Sequence, residues 1–185
     1  MMNLNSLFKI EDTSLTGCKI IRTHIHEDVR GYFVKTYHNA AFTSLGLAGS
    51  FAEIYYSKSR KNVLRGMHFQ LPPADHEKMV TCIAGRVLDV ALDLRRNSPT
   101  YGKHFAAQLT EEEGKMLYLP RGVAHGFLAL SDTATLLYHV TSVYIPECDA
   151  GILWNSAGID WGISNPILSE RDMHFPPLAE FKSPF

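Results

Sequence analysis

The segment Val87-Leu88-Asp89-Val90-Ala91-Leu92-Asp93-Leu94 puts Leu88, Val90, Leu92 and Leu94 on one parity and Asp89 and Asp93 on the other. Side chains of an extended chain alternate between two faces, so this period of two predicts a half-buried strand. Shorter runs of the same character fall at residues 51–57, 63–70, 79–84, 116–119, 126–130 and 135–144, punctuated by glycines, prolines and acidic clusters. Helical periods are confined to two short stretches, 40–47 and the acidic 110–115. Many short strands and few, short helices predict an all-β sandwich or small barrel rather than a parallel α/β fold. No strand is followed by a GxGxxG or GxxxxGKS/T turn, so the usual sequence marks of a bound dinucleotide or a P-loop are missing.

The 185 residues, read as one domain spanning 1–185, are enough to bury a core without disulfides. A hydrophobic fraction of 45%, a charged fraction of 20% and a formal net charge of −1 offer no single-sign field, so neither nucleic acid nor a membrane surface is expected as a partner. No apolar run approaches the roughly 20 residues that span a bilayer, and residues 1–10 lack a basic segment followed by a long apolar one. A cytoplasmic location is expected. Cys18, Cys82 and Cys148 form no CxxC pair, and are expected to be reduced and structural.

One segment narrows the architecture. Gly114 is followed by five residues, then Pro120-Arg121-Gly122, two more residues and His125. Pro120 and Gly122 suit a tight reversal between strands, with the returning strand carrying His125 to the interior of a barrel mouth. The pattern resembles the second cupin motif and implies a double-stranded β-helix, a jelly roll with a pocket inside and a few short helices. Metal-holding cupins bring together several histidines and a carboxylate, typically through a His-x-His pair. Here His68 is followed two residues later by Gln70, so no metal is expected.

The stretch Asn62-Val-Leu-Arg65-Gly66-Met67-His68-Phe69-Gln70 closely resembles the Arg-Gly-Leu-His-Phe/Tyr-Gln signature of the dTDP-4-dehydrorhamnose 3,5-epimerase family. Arg30-Gly31-Tyr32-Phe33, Arg95 to Gly102, Ala124 to Phe127, Tyr138 with Tyr144-Ile145-Pro146, Ile152 to Asn155 and Leu168 to Asp172 follow in the family's order. The resemblance implies an isomerase without cofactor that inverts carbons beside a 4-keto group on a nucleoside-diphosphate sugar. It implies His68 as base, Asp172 as the carboxylate that orients it, Tyr138 as general acid and Lys78 beside the enolate oxygen. Imidazole suits the first role because it titrates near neutral pH. The resemblance also implies that His125 and Gln70 line the site and that Arg65 and Arg30 grip the diphosphate, while Tyr144, which shares parity with Tyr138 in the run 135–144, is read as an aromatic platform on the same side. Arg30 is implied to reach a neighbouring subunit's pocket, hence a homodimer.

Two departures bear on the substrate. The family's Gln-x-Asn pair reads Glu53 and Tyr55 here, and its Glu in the Arg-Gly-x-Phe-x-Glu segment reads Lys35. A glutamine amide both donates and accepts, whereas a carboxylate only accepts, so the ligand's hydrogen-bond complement must change. Guanine offers two adjacent donors, which makes a GDP-linked 4-keto sugar, or a CDP-linked one, a rival to the dTDP-linked sugar. The same residues also fit an enzyme that inverts a single centre or moves the keto group, and a non-catalytic jelly roll that binds sugar nucleotides.

Overall fold

The computed structural model describes residues 7–185; residues 1–6, part of the stretch read above for a leader, lie outside the described residues. With strands numbered along the chain, one sheet runs β1 (Phe8–Asp12), β2 (Lys19–Thr23), β10 (Lys115–Leu119), β7 (Lys78–Ala84), β12 (Thr133–Val140), β5 (Glu53–Arg60). The second runs β13 (Asp149–Gly151), β6 (Leu64–Gln70), β11 (Val123–Ala129), β8 (Arg86–Asp93), β9 (His104–Thr110). β3 (Ile25–Asp28) and β4 (Gly31–Val34) form a separate hairpin. The paired strands are antiparallel, and the two sheets face each other as a jelly roll with two short α-helices, α1 (Asn39–Ser44) and α2 (Glu170–Met173).

Three apolar layers explain why so much of the chain is buried. Val80, Cys82, Leu117 and Leu119 of one sheet meet Val87, Ala91, Leu109 and Phe127 of the other in the middle layer. Outside the six-stranded sheet, Phe42 of α1 packs on Ile21, Met79 and Met116. Outside the five-stranded sheet, Ile152, Ile159 and Trp161 cover Val90, Leu92 and Leu94, with Phe181 and Phe185 packed against them. Each fully buried Leu or Phe is worth about 2 kcal/mol, so both outer covers stabilise the sandwich as the middle does.

This layering corrects the half-buried reading of residues 87–94. Leu88, Val90, Leu92 and Leu94 pack outward, under the C-terminal cover, while Val87 and Ala91 sit in the layer between the sheets. The aspartate parity therefore faces inward. Asp89 and Asp93 are both fully buried. Asp93 accepts from the Arg95 side chain at 2.8 and 2.7 Å and from the Ser98 and Thr100 hydroxyls at 2.6 Å, so the Ser-Pro-Thr string serves to satisfy a buried carboxylate. Burial alone would raise that carboxyl; these donors hold it down at about 2.

Two other expectations are corrected. Residues 111–114 form a turn between β9 and β10 rather than a helix, because Gly114 adopts φ +57° and the stretch is too short to carry a helical nucleus. β12 ends at Val140, so Tyr144 stands in the loop beyond it and not on a continuous strand with Tyr138. The helix expected at residues 40–47 forms as α1 over Asn39–Ser44, and the preceding His38 side chain caps Ala41 N at 3.3 Å. Gly122, at φ +76°, makes the expected reversal into β11.

A glycine pair sets the site's register. β6 and β11 pair with His68 opposite His125, and the register then slips between His125 and Phe127. At the slip Gly66 and Gly126 touch: a Cβ on Gly66 would lie 2.6 Å from Gly126 Cα. A Cβ on Gly126 would meet Met67 Sδ at 2.7 Å and Arg65 O at 3.0 Å. Overpacking of this kind costs about 2 kcal/mol, so Gly126→Ala is expected to lower the thermal unfolding midpoint by several degrees in calorimetry.

Candidate active site

The open end of the sandwich holds a cavity of about 480 Å³. Each sheet contributes a different chemistry to it. From the five-stranded sheet come His68 and His125; from the other come Lys78, Tyr138, Tyr55 and Glu53, with Tyr144 at the rim.

Both histidines are backed by aspartates. His68 Nε2 lies 2.9 Å from Asp172 Oδ1. Asp172 is buried in the single turn of α2, where Ser169 Oγ caps its N–H at 3.1 Å and its Oδ2 accepts from Gly66 N at 3.2 Å. Burial would raise the carboxyl, but His68, Ser169 and Gly66 hold it below its usual range. Arg171 Nη2 also approaches His68 Nε2, at 3.0 Å, while its guanidinium engages Asp149 and stacks over Phe175. One nitrogen cannot donate to the aspartate and accept from the arginine at once. We assign the proton to Nε2, since a lone pair held against a buried carboxylate is the costlier arrangement. Nδ1 is then the basic atom, with no hydrogen bond among the described residues. Burial lowers the His68 pKa, Asp172 opposes that shift, and Arg171 and Lys78 reinforce it.

His125 repeats the device. Its Nε2 lies 2.8 Å from Asp89 Oδ2 in a fully buried pair. Asp89 went unrecognised in the sequence because its parity was assigned to the wrong face.

The opposite wall carries a phenol and an ammonium. Tyr138 is 6% exposed; its ring stacks on Tyr55 at 4.9 Å, its hydroxyl lies 3.2 Å from Ser57 Oγ, and burial pushes its pKa well above 10. Lys78 is 7% exposed, and its ammonium makes no hydrogen bond or ion pair among the described residues. Burial brings its pKa down to about 8, with Asp89 and Asp149 pulling the other way. Burial and Lys78 drive His76, another lining residue, down to about 3, so it is neutral.

The remaining expected residues divide. Arg65 lines the cavity, its Nε on Ser59 Oγ at 3.0 Å. Gln70 lines it too, but its amide is used internally: Nε2 donates to Val143 O at 3.0 Å and Ala74 O at 3.1 Å, and Oε1 accepts from Ile145 N at 2.7 Å. It fastens the loop that carries Tyr144. Glu53 Oε1 accepts from Tyr144 N at 3.0 Å, so its carboxylate already has a donor. Arg30 and Lys35 do not line the cavity of their own chain. Arg30 is exposed in the β3–β4 turn and paired with Asp28 at 3.0 Å. Asp89, Ser57, His76, Asp149 and Arg171 are members that sequence reasoning missed. Among the described residues, no three His, Cys, Asp or Glu side chains converge as metal ligands.

A jelly roll whose open end gathers titratable groups from both sheets defines a cupin-type pocket protein. A family model described as dTDP-4-dehydrorhamnose 3,5-epimerase matches residues 12–180. The epimerase of that name from Methanothermobacter thermautotrophicus is 42% identical over 94% of this chain and 96% of its own. The dTDP-6-deoxy-D-glucose-3,5-epimerase of Legionella pneumophila, solved with dTDP-4-keto-L-rhamnose, superposes with a TM-score of 0.90 at 34% identity over 95% of both chains. A 3′-monoepimerase from Streptomyces bikiniensis, solved with dTDP-quinovose, gives 0.86 at 31% identity over 91% and 87%. The chain belongs to the dTDP-4-dehydrorhamnose 3,5-epimerase family, and it is an isomerase acting on a nucleotide sugar.

The geometry fixes an observable state for His68. By 15N NMR, His68 is expected as the Nε2–H tautomer, titrating below its ordinary 6.5. Asp172→Asn removes the partner that raises that pKa and is expected to move the midpoint lower still.

Proposed function

We propose that this chain inverts both C3 and C5 of a dTDP-linked 4-keto-6-deoxy sugar, with His68 as base, Tyr138 as acid and Lys78 holding the enolate oxygen. The observation that carries this reading is the placement of an aspartate-backed imidazole and a buried phenol on opposing sheets, facing one cavity. Inversion requires a proton to leave one face of a carbon and another to arrive on the opposite face, which simple binding does not. His68 Nδ1 removes the proton beside the ketone, and Asp172 steadies the imidazolium. The negative charge that develops on the ketone oxygen is met by the Lys78 ammonium and by His125, in a setting dry enough for such contacts to be worth far more than in water. Tyr138 then donates to carbon from the other side. No cofactor enters any step.

Thymidine as the base is supported by the two relatives solved with dTDP-sugars. Glu53 offers less support for guanine than its charge implies, because it already accepts the Tyr144 N–H. Free thiols at all three cysteines, two of them buried, suit the reducing cytoplasm.

The same reading includes a homodimer. Val29, Tyr32 and Phe33 are exposed on the β3–β4 hairpin, and Ile54 and Tyr56 are exposed on β5, the outermost strand of its sheet. An open edge and an uncovered apolar hairpin are costly alone and complementary together. Laying the hairpin along a partner's β5 would bring Arg30 toward the partner's cavity and its diphosphate.

In heavy water, NMR of the dTDP-4-keto sugar product is expected to show two deuterons; one would mean single-centre inversion, and preferred turnover of the GDP-linked sugar would overturn the base assignment. His68→Asn keeps the shape but not the base, and is expected to lower kcat at least about a hundredfold. Arg30→Ala is expected to raise KM about tenfold with kcat within a few-fold, as loss of a grip on the non-reacting diphosphate requires.

A further inference from the structure

The inward parity of β5 is a row of four side chains, each attached to a different group at the cavity. Glu53 holds the Tyr144 amide, Tyr55 stacks on the Tyr138 ring, Ser57 meets the Tyr138 hydroxyl and Ser59 holds Arg65 Nε. Within this row Ser57 has a distinct position. The Tyr138 phenol is covered on one face by Tyr55 and flanked by the edge of His125 at 5.9 Å. Its hydroxyl makes one hydrogen bond among the described residues, the 3.2 Å contact to Ser57 Oγ, in which either atom can donate. Ser57 is only half-buried and lines the cavity, from which water reaches it.

A general acid that gives its proton to carbon must recover one before the next turnover, and the neighbouring Ser57 hydroxyl offers a phenol enclosed by rings a route that stays available while ligand fills the cavity. We infer that Ser57 is the positioning residue through which Tyr138 exchanges its proton with solvent. This rests on the assignment of Tyr138 as acid. The step balances. As the Tyr138 O–H bond breaks and a C–H bond forms on the substrate, the phenolate oxygen takes the Ser57 proton. Ser57 takes one from water in turn, while the His68 imidazolium returns the proton removed from substrate to solvent. A hydroxyl serves because it donates and accepts at one atom; a methyl does neither.

The test follows the dTDP-4-keto sugar in heavy water, scoring solvent exchange at the carbon separately from inversion. Ser57→Ala is expected to lower kcat for inversion about tenfold or more, with KM within about twofold. Exchange without inversion, which needs only His68, should persist, so its ratio to inversion rises. Ser57→Thr keeps the hydroxyl and is expected to restore both quantities to within about threefold of native. Replacement of a half-buried serine on an edge strand leaves the melting temperature within a few degrees, which circular dichroism checks. Native kcat and native ratio in Ser57→Ala, or equal loss in the Ala and Thr variants, overturns the inference. Tyr138→Phe separates the two layers of the argument: inversion at the native rate in that variant removes the acid assignment, and the relay with it. Loss of inversion there beside an unaffected Ser57→Ala removes the relay alone.

Discussion

The contact between His68 and Asp172 joins residues 104 apart in sequence, and the arrangement of the open end depends on it. The imidazole comes from the five-stranded sheet; the carboxylate comes from a single turn of helix near the C-terminus. That turn is fixed by its Ser169 cap and by the Gly66 N–H, so one carboxylate closes the C-terminal segment onto β6 and decides which ring nitrogen faces the cavity. Removing either partner leaves a buried polar group without its mate, at a cost of about 1–3 kcal/mol. The backbone supports this from below, since β6 and β11 approach closely enough to bring His68 opposite His125 only because Gly66 and Gly126 carry no side chain.

A sandwich suits stereochemical inversion for a geometric reason. Its two sheets have separate hydrogen-bond networks and lie about 10 Å apart, so groups on the inner faces approach a flat ligand from opposite sides. The imidazole on β6 and the phenol on β12 gain that opposition from the fold, without a loop having to cross the cavity. The likeness to both a 3,5-epimerase and a 3′-monoepimerase fits this view, because one base and one acid serve whichever carbon lies between them.

The sequence carried the strand pattern and most of the cavity lining, because an alternating run and a Pro-x-Gly reversal are local signals. What it hid was set by tertiary cover. The period of Val87 to Leu94 was legible, but its facing was not: alternation cannot say whether the apolar parity turns toward the partner sheet or toward a C-terminal segment some 60 to 90 residues away. Asp89 was lost for that reason. Gln70 and Glu53 were visible as pocket residues, yet their bonds to the loop at Val143, Tyr144 and Ile145 arise only when β6 and β5 are brought beside it. Arg171 was passed over beside Asp172 because its role comes from Asp149 and Phe175, which lie elsewhere in the chain.

Burial does the electrostatic work in this pocket, and one cause sets two protonation states usefully. Taking an ionisable group out of water penalises its charged form, whichever form that is. For His68 this keeps the imidazole neutral and able to accept a proton; for Tyr138 it keeps the phenol protonated and able to give one. Lys78 is the exception that needs help. The same penalty would discharge it, and it is opposed by the field of Asp89 and Asp149. Asp89 is well placed for this, since one of its oxygens binds His125 while the other is buried without a partner among the described residues. That aspartate thus serves two groups: it orients one imidazole, and it helps preserve a cation in the opposite wall, where the proposed reaction develops negative charge.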